Sequence, residues 1–262
     1  MREPWYDATV GLGRLVFAAL GLERSVEGAE HLPRSGPVIV AAAHVAYPDF
    51  MTLAEAARTR GRNLRFLTRH DVWNVPIARH AMTRMRHVPV DREAPAAAYL
   101  RARQLLGEGE AIGLFPEAGI SHAYAVRAMM PGAVALARGT GAPIVPAAQW
   151  GIHRVWSVGR RVGGRKPRPS LRRGRLNDLR FGPPLHVAPD ADLREATHEL
   201  GVALTELLEE LQQRPHHRPR VGERAPWYPA HLGGHAPDRR EALGLDSVPT
   251  SAVAPTWGPE GT

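Results

Sequence analysis

The sequence predicts an α/β fold: a mostly parallel central sheet covered by helices, with an amphipathic N-terminal helix ahead of it. Two observations carry this. Short apolar runs such as Val38-Ile39-Val40-Ala41-Ala42 and Ile144-Val145-Pro146-Ala147-Ala148 have the length and branching of strands buried on both faces. Between such runs lie stretches whose apolar residues recur at helical spacing. Strands alternating with helices are the pattern of a parallel, helix-covered sheet.

In chain order, Trp5, Tyr6, Val10, Leu12, Leu15, Val16, Ala19 and Leu20 make an apolar stripe at helical spacing. This helix either packs on its own domain or lies on a membrane with Trp5 and Tyr6 at the interface. A short extended piece follows at 25–28, then the apolar strand at 37–42. Helices are expected at 50–59, 76–84, 96–106 and 132–138. The last two stop at Gly107 and Gly139. Strands are expected at 64–67, 87–90, 111–115, 143–148 and 179–181. From Asp192 to Leu211 the stripe Leu193, Ala196, Leu200, Ala203, Leu204, Leu207, Leu208, Leu211 predicts a strong amphipathic helix. The organisation is therefore an N-terminal helical segment (1–22), one α/β domain (23–212) and a tail (213–262). Pro, Gly, Arg and His dominate the tail, so it is expected to be largely disordered, with Trp227-Tyr228-Pro229 able to dock back.

The 262 residues, 44% of them hydrophobic, suffice for one large core. No apolar run is long enough to predict a transmembrane helix, and the start lacks the form of a secretory signal. The absence of cysteine excludes disulfides, thiol catalysis and Cys-ligated zinc. The formal charge of +8, nearly all arginine, favours phosphate-bearing partners such as an anionic membrane or a phosphorylated substrate. Basic residues concentrate at 158–175, expected as an exposed loop. Aromatics are not interleaved with them and no nucleic-acid motif is visible, so nucleic acid is not an expected partner. The histidines of the tail lack ligand spacing, and no metal is expected.

Chemistry-bearing residues gather at predicted strand ends. His44 follows the strand at 37–42, and Asp49 stands at the next helix start, close enough to hold the imidazole in one tautomer. Arg92 closes His87-Val88-Pro89-Val90-Asp91. Phe115-Pro116-Glu117-Ala118-Gly119-Ile120-Ser121 follows the strand at 111–115. In a parallel sheet the carboxyl strand ends converge on one crevice, so these residues can meet. Taken singly, each has a plainer reading: a turn for His44 and Asp49, a helix start for Glu117, a surface pair with Asp91 or Glu93 for Arg92.

Together with Pro143-Ile144-Val145-Pro146, these stretches resemble, in order, the four motif blocks of the glycerolipid acyltransferase superfamily. Its best-known members are the 1-acylglycerol-3-phosphate acyltransferases. The resemblance covers roughly residues 5–211. It implies transfer of a fatty acyl group from acyl-CoA or acyl-carrier protein to a lysophospholipid hydroxyl, with no bound cofactor. In that reading His44 is the general base, Asp49 its partner, Arg92 a ligand of the acceptor's phosphate, and Glu117, Gly119 and Ser121 shape the acceptor site. A helix start near 119–121 is expected to offer N–H groups. Peripheral association with the cytoplasmic side of the cell membrane goes with this reading.

The sequence departs from the family at five positions. Ala43 and Ala46 stand where the family has asparagine and serine around the histidine. Ala118-Gly119-Ile120 replaces Gly-Thr-Arg in the third block. The arginine lost at Ile120 normally helps hold phosphate; Arg127 or the basic run at 160–175 are the candidates to replace it, and a different lysolipid acceptor is the alternative. A rival enzyme class is a serine esterase, because Gly119-Ile120-Ser121-His122-Ala123 approaches a nucleophile elbow.

Overall fold

The computed structural model describes residues 3–91, 94–159 and 167–255. Arg92 and the basic stretch at 160–166 lie outside the described residues.

The chain opens with helix α1 (Pro4–Ala19), whose Pro4 suits a first helical turn. Strands β1 (Glu23–Glu27) and β2 (Val38–Ala42) follow, then α2 (Asp49–Arg58), β3 (Leu64–Arg69), α3 (Pro76–Arg84), β4 (Val88–Val90), α4 (Pro95–Gly107) and β5 (Ala111–Leu114). After a loop come α5 (Gly132–Thr140), β6 (Ile144–Trp150), β7 (Leu176–Phe181), the long α6 (Leu193–Gln212) and α7 (Arg239–Leu245). Helix α5 runs past Gly139 and is closed by Gly141, the residue that adopts the left-handed backbone (φ 70°) a terminating glycine supplies. Asp192 caps α6, accepting from the Arg194 and Glu195 N–H groups.

The seven strands form one sheet in the order β1-β7-β6-β2-β5-β3-β4. Neighbours from β6 to β4 pair in parallel, while β7 runs antiparallel to β6 and carries β1 with it. The sheet is therefore mostly parallel, as expected, and the reversed pair β1–β7 closes one side. Two cores flank it. On one face α4, α5 and α6 cover Ile39, Ala41, Ile112, Ile144 and Trp150; on the other α1 and α2 cover Val38, Val40, Leu64, Phe66 and Val145.

Helix α1 packs on its own domain through Tyr6, Gly13 and Phe17. The Tyr6 hydroxyl accepts the Leu64 N–H at 3.0 Å and donates to the Leu64 carbonyl at 3.2 Å, fixing the helix to β3. Glu3, just before the helix, takes both ends of the buried Arg65 guanidinium at 2.5 and 2.6 Å, and Glu110 takes its Nε at 3.0 Å. The opposite face leaves Leu12 and Leu15 in solvent, 63% and 70% exposed, beside Trp5 and Val16. The interior packing and the exposed apolar stripe thus belong to two sides of one helix.

From Gln213 onward the chain differs from its compositional expectation. Residues 213–255 form two short 3₁₀ turns and α7, and they bury Ala225, Tyr228 and Ala236 against the main core. The Tyr228 hydroxyl donates to the Gln212 carbonyl at 2.9 Å, and the His153 ring meets the Trp227 carbonyl at 3.1 Å. Asp238 caps α7 by accepting the Glu241 N–H. A few aromatic and capping residues do here what aliphatic density does elsewhere, which average composition conceals.

Candidate active site

His44 leaves the end of β2 and Asp49 is the first residue of α2, so a single strand-to-helix connection carries both. The His44 Nδ1–H donates to Asp49 Oδ2 at 2.9 Å. The same oxygen accepts the Val45 and Ala46 N–H groups at 2.7 and 2.8 Å. Asp49 thus holds the turn and the imidazole at once, and leaves Nε2 as the basic nitrogen. Asp49 is fully buried, and burial pushes its carboxyl above the usual range against the pull of its three donors. The His44 ring stacks on Phe115, with centroids 4.2 Å apart, and its edge remains partly open to solvent.

Glu117 arrives from the loop after β5. Its Oε1 accepts the His44 N–H at 2.7 Å, and its Oε2 accepts the Arg127 N–H at 2.9 Å. The carboxylate therefore pins the main chain at His44 from the neighbouring strand. Burial pushes Glu117 up to about 7, partly countered by those two donors.

The structure brings His44, Asp49 and Glu117 together as the sequence expects. Gly119 and Ser121 lie in the same loop but face other groups. A Cβ at Gly119 would collide with the Arg127 guanidinium, so glycine is there to admit that side chain. Ser121 is buried, and its Oγ accepts the Ala123 N–H at 3.3 Å. The adjacent imidazole, His122, is bonded to Asp246 at 2.6 Å. The segment 115–131 is a series of turns, and no helix starts at 119–121; the next helix begins only at Gly132. Ala118 occupies a left-handed backbone (φ 53°), a conformation suited to the glycine that the family carries there. Arg92 lies outside the described residues.

Arg127 does not take the place of the arginine missing at Ile120. Its guanidinium turns inward, donating to the Glu117 carbonyl at 2.9 and 3.2 Å and to the Ser247 carbonyl at 3.4 Å, and facing Asp246 at 3.5 Å. Sequence reasoning missed Asp246, which has no motif around it and reaches the site only through the folded tail.

One further cluster lies in the fold. Asp178, His216 and His217 bring ligand atoms within 4.8 Å of one another. Asp178 is already bonded by Ser25 at 2.6 Å, His216 at 2.7 Å and Arg214 at 3.0 Å, and these contacts hold its carboxyl down at about 2 despite burial. With a guanidinium on the shared oxygen, the cluster anchors the tail to β7.

Residues 23–150 match the family model named Acyltransferase. The chain is 28% identical over 139 residues to the chloroplastic 1-acyl-sn-glycerol-3-phosphate acyltransferase of Arabidopsis thaliana, covering 52% of this chain and 38% of that protein. It is 27% identical over 188 residues to the 1-acyl-sn-glycerol-3-phosphate acyltransferase of Bacillus subtilis, covering 71% and 86%. The chain thus spans about two fifths of the plant relative's length. The crystal structure of the 1-acyl-sn-glycerophosphate acyltransferase of Thermotoga maritima shares the fold, with a TM-score of 0.64 at 20% identity over 80% of each chain. The matched stretch, residues 23–150, holds the strands from β1 to β6 and the whole His44–Asp49–Glu117 cluster, so the part of the chain that carries the candidate site is the part that is similar to the Acyltransferase family.

Proposed function

We propose that the protein is an O-acyltransferase that moves a fatty acyl group from a thioester donor, acyl-CoA or acyl-carrier protein, to the hydroxyl of a lysophospholipid. 1-Acylglycerol-3-phosphate is the first acceptor to test. The observation that carries the reading is the His44–Asp49 pair, fixed in one tautomer and tied down by Glu117.

The chemistry follows from that geometry. His44 Nε2 removes the proton from the acceptor hydroxyl as its oxygen attacks the thioester carbonyl carbon. The buried Asp49 carboxylate stabilises the imidazolium that forms. Collapse of the tetrahedral intermediate forms the ester, breaks the C–S bond and releases the thiolate, which takes the proton back from Nε2. No group of the enzyme needs to be acylated. Ile120 and the inward-turned Arg127 leave the third motif without a free cation of its own, so Arg92 and the basic stretch after Val158 are the groups left to hold a phosphate. The exposed Leu12, Leu15 and Val16 of α1 support peripheral docking on a membrane, where the acceptor resides. Among the described residues, no helix is long and apolar enough to cross one. We place this docking at the cytoplasmic face, an anionic surface that suits the excess of arginine.

The test is an acceptor screen with labelled acyl-CoA against several lysolipids, run with the parent and His44→Ala. Transfer to a lysolipid that falls at least about a thousandfold in His44→Ala, with the fold retained, is the expected result. Near-normal transfer by that variant would end the mechanism. Ester cleavage by water, lost in Ser121→Ala and kept in His44→Ala, would favour the esterase instead.

A further inference from the structure

The tail packs along the loop that follows β5. Helix α7 is followed by Asp246, whose side chain is almost fully buried. Its Oδ1 accepts the His122 N–H at 3.2 Å and the His122 Nδ1–H at 2.6 Å, and its Oδ2 faces the Arg127 guanidinium. Ser247 lends its carbonyl to the same guanidinium. Further on, Val253 and Met129 exchange two main-chain hydrogen bonds, at 2.7 and 3.1 Å, and Ala242 forms a small buried cluster with Ala123 and Ala125. The segment 239–255 is therefore a strap laid along the loop that carries Glu117.

Arg127 is the link. It grips Glu117 three ways: its N–H on the carboxylate, and its Nε and terminal N–H groups on the carbonyl. Glu117 in turn grips the His44 N–H. A guanidinium this deeply buried needs a compensating charge to hold one position, and Asp246 is the carboxylate that faces it.

We propose that Asp246 is a positioning residue for His44, acting from the tail through Arg127 and Glu117. The kinetic part of this claim rests on the acyl-transfer reading, whereas the structural part does not. The strap makes the catalytic turn depend on a side chain far outside the four motifs.

The experiment uses the full chain and reads amide hydrogen exchange together with turnover. In Asp246→Ala, exchange at the His44 and Arg127 amides should speed up about tenfold or more, while β6 and α4 keep parent protection. Asp238→Ala, which uncaps α7 without touching Arg127, should leave both amides as in the parent. Transfer activity in Asp246→Ala should drop about tenfold in kcat with KM within about twofold. Adding Asp246→Ala to Arg127→Ala should cost little more, since both act through one contact. Asp246→Asn, which keeps an acceptor for His122, covers the case in which the alanine variant unfolds; it should show the same pattern more weakly. Parent-like exchange at His44 and Arg127 in Asp246→Ala and Asp246→Asn overturns the proposal, as does equal acceleration in Asp238→Ala. A parent that transfers acyl groups to no acceptor would defeat the acyl-transfer reading and leave the exchange measurement to decide the link.

Discussion

Glu117 Oε1 accepts the main-chain N–H of His44 at 2.7 Å, so a carboxyl group on one strand end fixes the backbone of the histidine on the next. The two residues stand 73 positions apart in sequence and share one hydrogen bond. This pair is the clearest physical statement of what the third motif does for the first.

Burial raises the Glu117 carboxyl from 4.5 to about 7, so the folded protein holds its proton more tightly than the unfolded chain. The sign follows from linkage: the stability tied to this group is fully present below about 4.5 and is lost as pH rises through about 7. Glu117→Gln removes that titration at a fixed cost in lost acceptor strength. The gap in melting temperature between parent and variant should therefore narrow as pH rises from 4.5 to 8, by the equivalent of roughly 3 kcal/mol at most. Parallel curves across that range would refute the assignment.

Gly119 admits the Arg127 guanidinium, where a Cβ would collide with it. Gly119→Ala should lower stability by about 1–3 kcal/mol in the parent. In an Arg127→Ala background the same change should cost well under half as much, because the obstructed group is gone. A double-mutant cycle by denaturant titration measures the coupling, and additive effects would show that the guanidinium is not the obstacle.

Much of this was legible in the sequence and some of it was not, for physical reasons. The strands β2, β5 and β6 are read from short β-branched runs because a buried parallel strand needs apolar residues on both faces. The pairing of His44 with Asp49 is local, set by a single turn, and spacing is enough to find it. The reversal of β7 is invisible in its own composition, since a buried strand looks alike in either direction. Arg127 is ambiguous for a different reason: a guanidinium can face a ligand or a carboxylate, and its partner Asp246 comes from a segment with few aliphatic residues. Sequence patterns record periodicity within an element. They do not record which distant carboxylate answers a buried cation.

Arg65 is almost completely buried and joins Glu3, Glu110 and the Met85 carbonyl, so three parts of the chain meet on one side chain. Arg65→Met should destabilise the protein by about 3 kcal/mol, since it leaves Glu3 without its cation, whereas Glu110 keeps its pair with Arg86. Restoring neutrality with Glu3→Gln in the same chain should recover part of the loss. Urea denaturation of the single and double variants checks this, and a loss under about 1 kcal/mol would mean that the pair is solvated.

The outer face of α1 predicts a separable defect. Leu12→Glu with Leu15→Glu should weaken binding to anionic liposomes at least about tenfold, while the melting temperature stays within about 2 °C, because both side chains are already in solvent. Sedimentation with vesicles of phosphatidylglycerol and phosphatidylcholine at two salt concentrations reads the effect. Equal binding by parent and variant would remove α1 from the docking surface.

Asp246 meets His122 across 124 residues of chain. During vectorial synthesis His44 and Asp49 emerge early, with their shared turn already within reach of each other. The contact that braces Arg127 has to wait until the last strand and α6 have been made and α7 has followed them. A nascent domain can therefore hold its sheet and its His44–Asp49 pair while the brace on Arg127 is still missing, and the loop that carries Glu117 settles later than the fold around it.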